Sequence, residues 1–114
     1  MPDHVRLTPL KRVRVRMAGE AIADSARAYK VEEGSLPARY YVPREDVTAT
    51  FGAPGSGGHC PWKGAWHHLS VTAGDREVRD AAWTYVETTP VCTPIRGFVA
   101  FYPHKVDAID VDEL

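Results

Sequence analysis

Helical periodicity is almost absent from this sequence. Apart from a few residues after Pro43, no stretch repeats apolar side chains at three- and four-residue intervals, which excludes a helical bundle. Cysteine is scarce: Cys60 and Cys92 are the only two, and they lack C-x-x-C spacing. That excludes a disulfide framework and argues against a zinc ribbon. No apolar run approaches the roughly 20 residues that a membrane helix needs. Neither sign of charge dominates, and a formal net charge of −1 gives no global pull toward nucleic acid or anionic membrane. The opening MPDHVRLTPLKRVRVRM has no apolar centre of the signal-peptide kind. The expectation is a cytoplasmic protein with no nucleic-acid partner, no membrane partner, no metal and no cofactor.

What is present is β pattern. Lys11 to Met17 alternates strictly, with Val13, Val15 and Met17 on one face and Arg12, Arg14 and Arg16 on the other, as a half-buried strand does. Ala18-Gly19-Glu20 turns the chain so that Ala21 to Ala23 can pair back. Arg27 to Val31 reads as a strand, and so does aromatic-rich Ala38 to Val42, which ends at Pro43. Pro43 to Val47 reads as one helical turn, with proline first and acids after it. Gly52 to Gly58 reads as a flexible loop or lid. Trp66 to Thr72, the Ala73-Gly74-Asp75 turn and Val78 to Val86 form a hairpin. Glu87 to Pro94 is irregular. Gly97 to Tyr102 is an apolar, central strand paired on both sides, and Val106 to Val111 is a last, polar one. About eight short strands between turn signals predict an all-β fold of antiparallel strands, barrel-like or sandwich-like, with at most short helical turns. A length of 114 residues fits one domain over 1–114, with its core at about 11–111. Asp107, Asp110 and Asp112 on the last strand complement the first strand's arginines; the two are either neighbours or separately solvated edges.

Five segments occur in a telling order. They are Ala23-Asp24-Ser25, Arg39-Tyr40-Tyr41-Val42-Pro43-Arg44-Glu45-Asp46-Val47, Cys60-Pro61-Trp62-Lys63-Gly64, Ala82-Trp83-Thr84-Tyr85 and Gly97-Phe98-Val99-Ala100-Phe101-Tyr102. In these the chain resembles the bacterial and fungal family called domain of unknown function 427, from about Val13 to Asp110. The resemblance implies a small all-β domain whose function is not established and which has carried a nucleotidyltransferase-like label. Nucleotidyl transfer wants metal-binding carboxylates beside a phosphate-cradling loop. The only D-x-D here, Asp110-Val111-Asp112, is far in sequence from the glycines. Related sequences carry a small residue and a tyrosine after Cys-Pro-x-Lys-Gly, where this chain has Ala65-Trp66-His67-His68.

The segment richest in reactive groups is Cys60-Pro61-Trp62-Lys63-Gly64. Cys60 is a candidate nucleophile if a neighbouring cation lowers its pKa, and equally a small buried hydrophobe. Lys63 is a candidate catalytic amine or anion holder, and equally a solvated turn lysine. Gly52 to Gly58 lacks the spacing of a P-loop. His67 and His68 point to opposite strand faces and cannot readily share an ion. Tyr40 and Tyr41 likewise diverge, and Arg39 shares Tyr41's face. Asp46 serves a helical turn or orients Lys63 or an arginine. The leading reading is a small-molecule pocket lined by Tyr41, Trp83 and Tyr85, polarised by Lys63, Arg39 or Arg44, with Cys60 close by. The alternative is a non-catalytic interaction or structural domain whose motif residues serve folding. It predicts Lys63 in open solvent, with Cys60 and the tyrosines packed in a closed core.

Overall fold

The computed structural model describes residues 4–114. Its strands are β1 (Val5–Met17), β2 (Glu20–Ser25), β3 (Tyr29–Glu33), β4 (Arg39–Val42), β5 (Thr50–Cys60), β6 (Gly64–Ala73), β7 (Arg76–Thr88), β8 (Val99–Phe101) and β9 (Ala108–Glu113). Between them lie only 3₁₀ turns, at Arg44–Asp46, Pro90–Ile95 and Pro103–Lys105. Among the described residues no helix is long and apolar enough to cross a membrane.

All pairings are antiparallel, in the order β2-β1-β3-β4-β8-β7-β6-β5, with β9 also on β1. β1 is long enough to serve two regions. Val5 to Pro9 pairs β3, and from Leu10 onward it lies between β2 and β9. The alternation read from Lys11 to Met17 holds: Val13, Val15 and Met17 are buried while Arg12, Arg14 and Arg16 face water. Of the two arrangements that the charges left open, the strands are neighbours: β9 pairs β1, with Arg12 opposite Asp112 and Arg14 opposite Asp110. Arg12 reaches further, across to Asp24 on β2, with guanidinium nitrogens 2.9 and 2.8 Å from the carboxylate oxygens. The Ala18-Gly19 turn has φ of +54° and +75°, as a two-residue hairpin of favoured twist requires.

The sheet is curled so that β1 and β2 cover its own inner face. Val13, Val15, Met17 and Ile22 meet Val42, Leu69, Val71, Ala82, Val99 and Phe101 in the main core. Each such buried Val, Leu or Phe contributes about 1.5–3 kcal/mol. β8 is central, between β4 and β7, as its apolar character foretold.

Two expectations fail here. The sheet does not close into a barrel. Its ends approach at one bridge, Ala23 opposite Val47, where the Thr48 amide donates to the Ile22 carbonyl. The second failure explains the first. Gly52 to Gly58 is no loop or lid but the body of β5, paired along β6. Register shifts on both sides of Pro54 break the ladder, and proline and bulges blunt β5's outer edge. That edge offers no regular ladder on which a closing strand could pair.

Candidate functional site

Strand alternation gives the sheet a second, outward face. On it stand Arg39 and Tyr41 of β4, Trp83 and Tyr85 of β7, Trp66 of β6, and Val31 and Glu33 of β3, with Tyr102 just after β8. Register places them in rows: Val31 opposite Arg39, Tyr41 opposite Ala100, Ala100 opposite Trp83, and Trp66 opposite Tyr85. Ala100, fully buried, is the small residue between Tyr41 and Trp83 in the register, and the side chains around it border a hollow on this face. The result is a cavity of about 290 Å³ lined by these aromatic side chains together with Glu33, Arg39, Lys63, Leu36 and Pro37.

Tyr41, Trp83 and Tyr85 are buried side chains of a second apolar cluster that also holds Val5, Val31, Cys92 and Ile95. The Trp83 indole N–H donates to the Tyr41 hydroxyl at 2.9 Å, and the rings meet edge to face with centroids 6.0 Å apart. Burial pushes the Tyr41 phenol well above its ordinary pKa, against the opposing effect of the bond from Trp83. Burial likewise raises Tyr85 well above the ordinary phenol value. Both remain protonated across the physiological range. The Tyr102 hydroxyl is hydrogen-bonded to His68 Nε2 at 3.0 Å. The Arg39 guanidinium lies 5.7 Å from the Trp83 ring centre and 6.0 Å from that of Tyr102, which stabilises it by about 0.5–1 kcal/mol per contact.

The Cys60-Pro61-Trp62-Lys63-Gly64 segment is the tight β5–β6 connection. The Lys63 amide donates to the Cys60 carbonyl at 3.2 Å. Thr89 then clamps the turn, its amide donating to Lys63's carbonyl at 3.0 Å and its hydroxyl to Trp62's at 2.8 Å. Gly64 has φ +131°, and a Cβ there would fall 2.0 Å from the Glu87 carbonyl oxygen, so only glycine fits. The clamped turn delivers Lys63 to the cavity, where its ammonium pairs with Glu33 and lies 5.8 Å from the Tyr85 ring centre. Both side chains of the pair are only 16% exposed, so Lys63 is not a solvated turn lysine.

The other candidates lie elsewhere. Cys60 is partly buried against the second apolar cluster and is not among the cavity-lining residues. Cys92 is buried, and that burial raises its thiol pKa. Arg44 is separated from the cavity, its guanidinium 4.7 Å from the Phe51 ring centre. Asp46 accepts from Ser25 Oγ at 2.7 Å and from Arg27 at 3.3 Å, and makes no contact with Lys63. Asp110 and Asp112 line β9 opposite Arg14 and Arg12, not the cavity. Among the described residues no three His, Cys, Asp or Glu side chains gather as a metal-binding set.

The profile of a family described as a domain of unknown function, DUF427, matches residues 6–112. The chain belongs to this family. The DUF427 match spans β1 to β9, so every wall of the cavity lies within the family's own domain. No curated protein matches the chain.

Sequence reasoning missed Val31, Leu36 and Pro37 of the cavity wall, and the charged residue that it missed is Glu33. It sits at a strand end before Gly34-Ser35 and looks like a solvated turn acid. Two signals could have found it: it shares Val31's face by strict alternation, and a lysine drawn inward needs a counter-charge.

Proposed function

We propose that this DUF427 chain is a small-molecule-binding domain whose site is the cavity bordered by Arg39, Lys63, Trp83 and Tyr85. One observation carries the reading: Arg39, Lys63 and Glu33 converge at an aromatic-lined hollow of about 290 Å³. Binding sites combine apolar walls with a few placed polar groups, and this hollow is near the small end of their usual size. The alternative of motif residues serving folding alone accounts for Cys60, for the clamped turn and for the burial of Tyr41 and Tyr85. It gives no reason for holding a Lys–Glu pair and an arginine at the mouth of an aromatic hollow. Cys60 stands outside the cavity wall, so the proposed function is binding, with no thiol chemistry.

The test is a fragment screen by NMR of the full chain, with the Trp83 and Trp66 indole resonances as reporters. Ligands that shift both indoles, and that lose binding in Arg39→Ala, support the reading. A diverse library that moves neither resonance sinks it.

A further inference from the structure

Hydrogen-bond accounting at the cavity leaves a pattern of unused donors. Tyr41 accepts from Trp83 but gives its own proton to no acceptor among the described residues. Tyr85 is 4% exposed, lines the cavity, and has no hydrogen-bond partner among the described residues. Among the described residues the Thr84 hydroxyl is the buried side-chain oxygen with no partner, so the unpaired Tyr85 oxygen is not sealed in the core but opens on the cavity that Tyr85 lines. Two phenols with protons to give therefore border one small space. Their ring centroids are 6.3 Å apart.

The charges around that space do not cancel. Lys63 is matched by Glu33. Arg39 has no carboxylate partner among the described residues and is held only by the faces of Trp83 and Tyr102. The cavity wall thus carries one uncompensated positive charge, two O–H donors and an aromatic lining.

We propose that the cavity takes a small monoanionic carboxylate on an aromatic body, its oxygens accepting from Tyr41 and Tyr85 and its charge matched by Arg39. This rests on the reading of the cavity as a binding site and names what it binds. A neutral amide would leave Arg39 unmatched, and a phosphate monoester dianion would exceed the single free charge. Because burial keeps both phenols protonated, they act as donors and not as bases. A volume of about 290 Å³ equals roughly ten waters in liquid packing, which suits a single-ring acid.

The experiment titrates the full chain with phenylacetate, phenylacetamide and phenyl phosphate, following the Trp83 indole resonance. Phenylacetate is expected to bind at least about tenfold more tightly than phenylacetamide, the value of one charge-assisted hydrogen bond. Tyr85→Phe, whose hydroxyl has no partner to lose among the described residues, should fold normally and weaken phenylacetate about five- to tenfold. Arg39→Gln should erase the preference for acid over amide. Equal binding of acid and amide, preference for phenyl phosphate, or unchanged affinity in Tyr85→Phe would overturn the carboxylate assignment. In each of those cases a ligand still occupies the cavity, so the binding reading survives. Failure of all three probes to bind overturns this assignment as well, and the broader fragment screen then decides whether the cavity binds anything.

Discussion

Tyr41 does two jobs with one oxygen: it satisfies the Trp83 indole N–H and borders the cavity. Tyr41→Phe removes the acceptor and leaves a buried donor unpaired. The expected loss of stability is about 1–3 kcal/mol, read as a lower urea midpoint at unchanged m-value. Tyr85→Phe is the control, because its hydroxyl has no hydrogen-bond partner among the described residues. Its midpoint should stay level or rise. The two tyrosines therefore separate in stability although both line the same hollow. A Tyr85→Phe variant as damaged as Tyr41→Phe would mean that the Tyr85 hydroxyl has a partner after all.

Among the elements, β5 depends most on having no side chains. A Cβ on Gly57 would lie 2.1 Å from the Trp66 carbonyl oxygen, whereas one on Gly52 would meet nothing nearer than 3.6 Å. Gly57→Ala should cost about 1–3 kcal/mol by forcing β5 off β6. Gly52→Ala should stay within about 0.5 kcal/mol, and paired thermal melts compare the two. This close approach is also why β5 could not be read from its own residues. Glycine and proline have weak strand propensity, and the reason for them lies on the facing strand. β1, β8 and the β6–β7 hairpin were legible because each has a buried face that imposes a period of two, or an apolar run that only a central strand can bury. The same alternation put Arg39 with Tyr41, and Trp83 with Tyr85, on shared faces. It could not place Arg44, which follows Pro43 into a 3₁₀ turn and lies over Phe51. Glu33 escaped because its partner comes from a turn 30 positions away.

At the scale of the whole molecule, the buried phenols tie stability to alkaline pH. Tyr41 and Tyr85 both hold their protons to higher pH in the folded chain than in the unfolded one. The stability that they contribute is therefore fully present below the unfolded value of about 10. Above it, the unfolded chain releases protons that the folded chain keeps, and stability falls by up to about 1.4 kcal/mol per pH unit for each phenol. Urea midpoints on either side of the phenol range should show this decline, and Tyr85→Phe should make it shallower. A decline equally steep in that variant would assign the effect to other groups. The pairing of β1 with β9 has a different consequence, one of timing. Arg14 lies opposite Asp110 and Val13 opposite Val111, so β1 pairs with a strand that follows all the other strands of the sheet in the chain. Until β9 folds back β1 shows a bare edge, and the loop to be closed contains every strand from β2 to β8. Such distant pairing slows folding toward milliseconds to seconds. The alternating arginines on that waiting strand keep nascent chains from joining one another edge to edge.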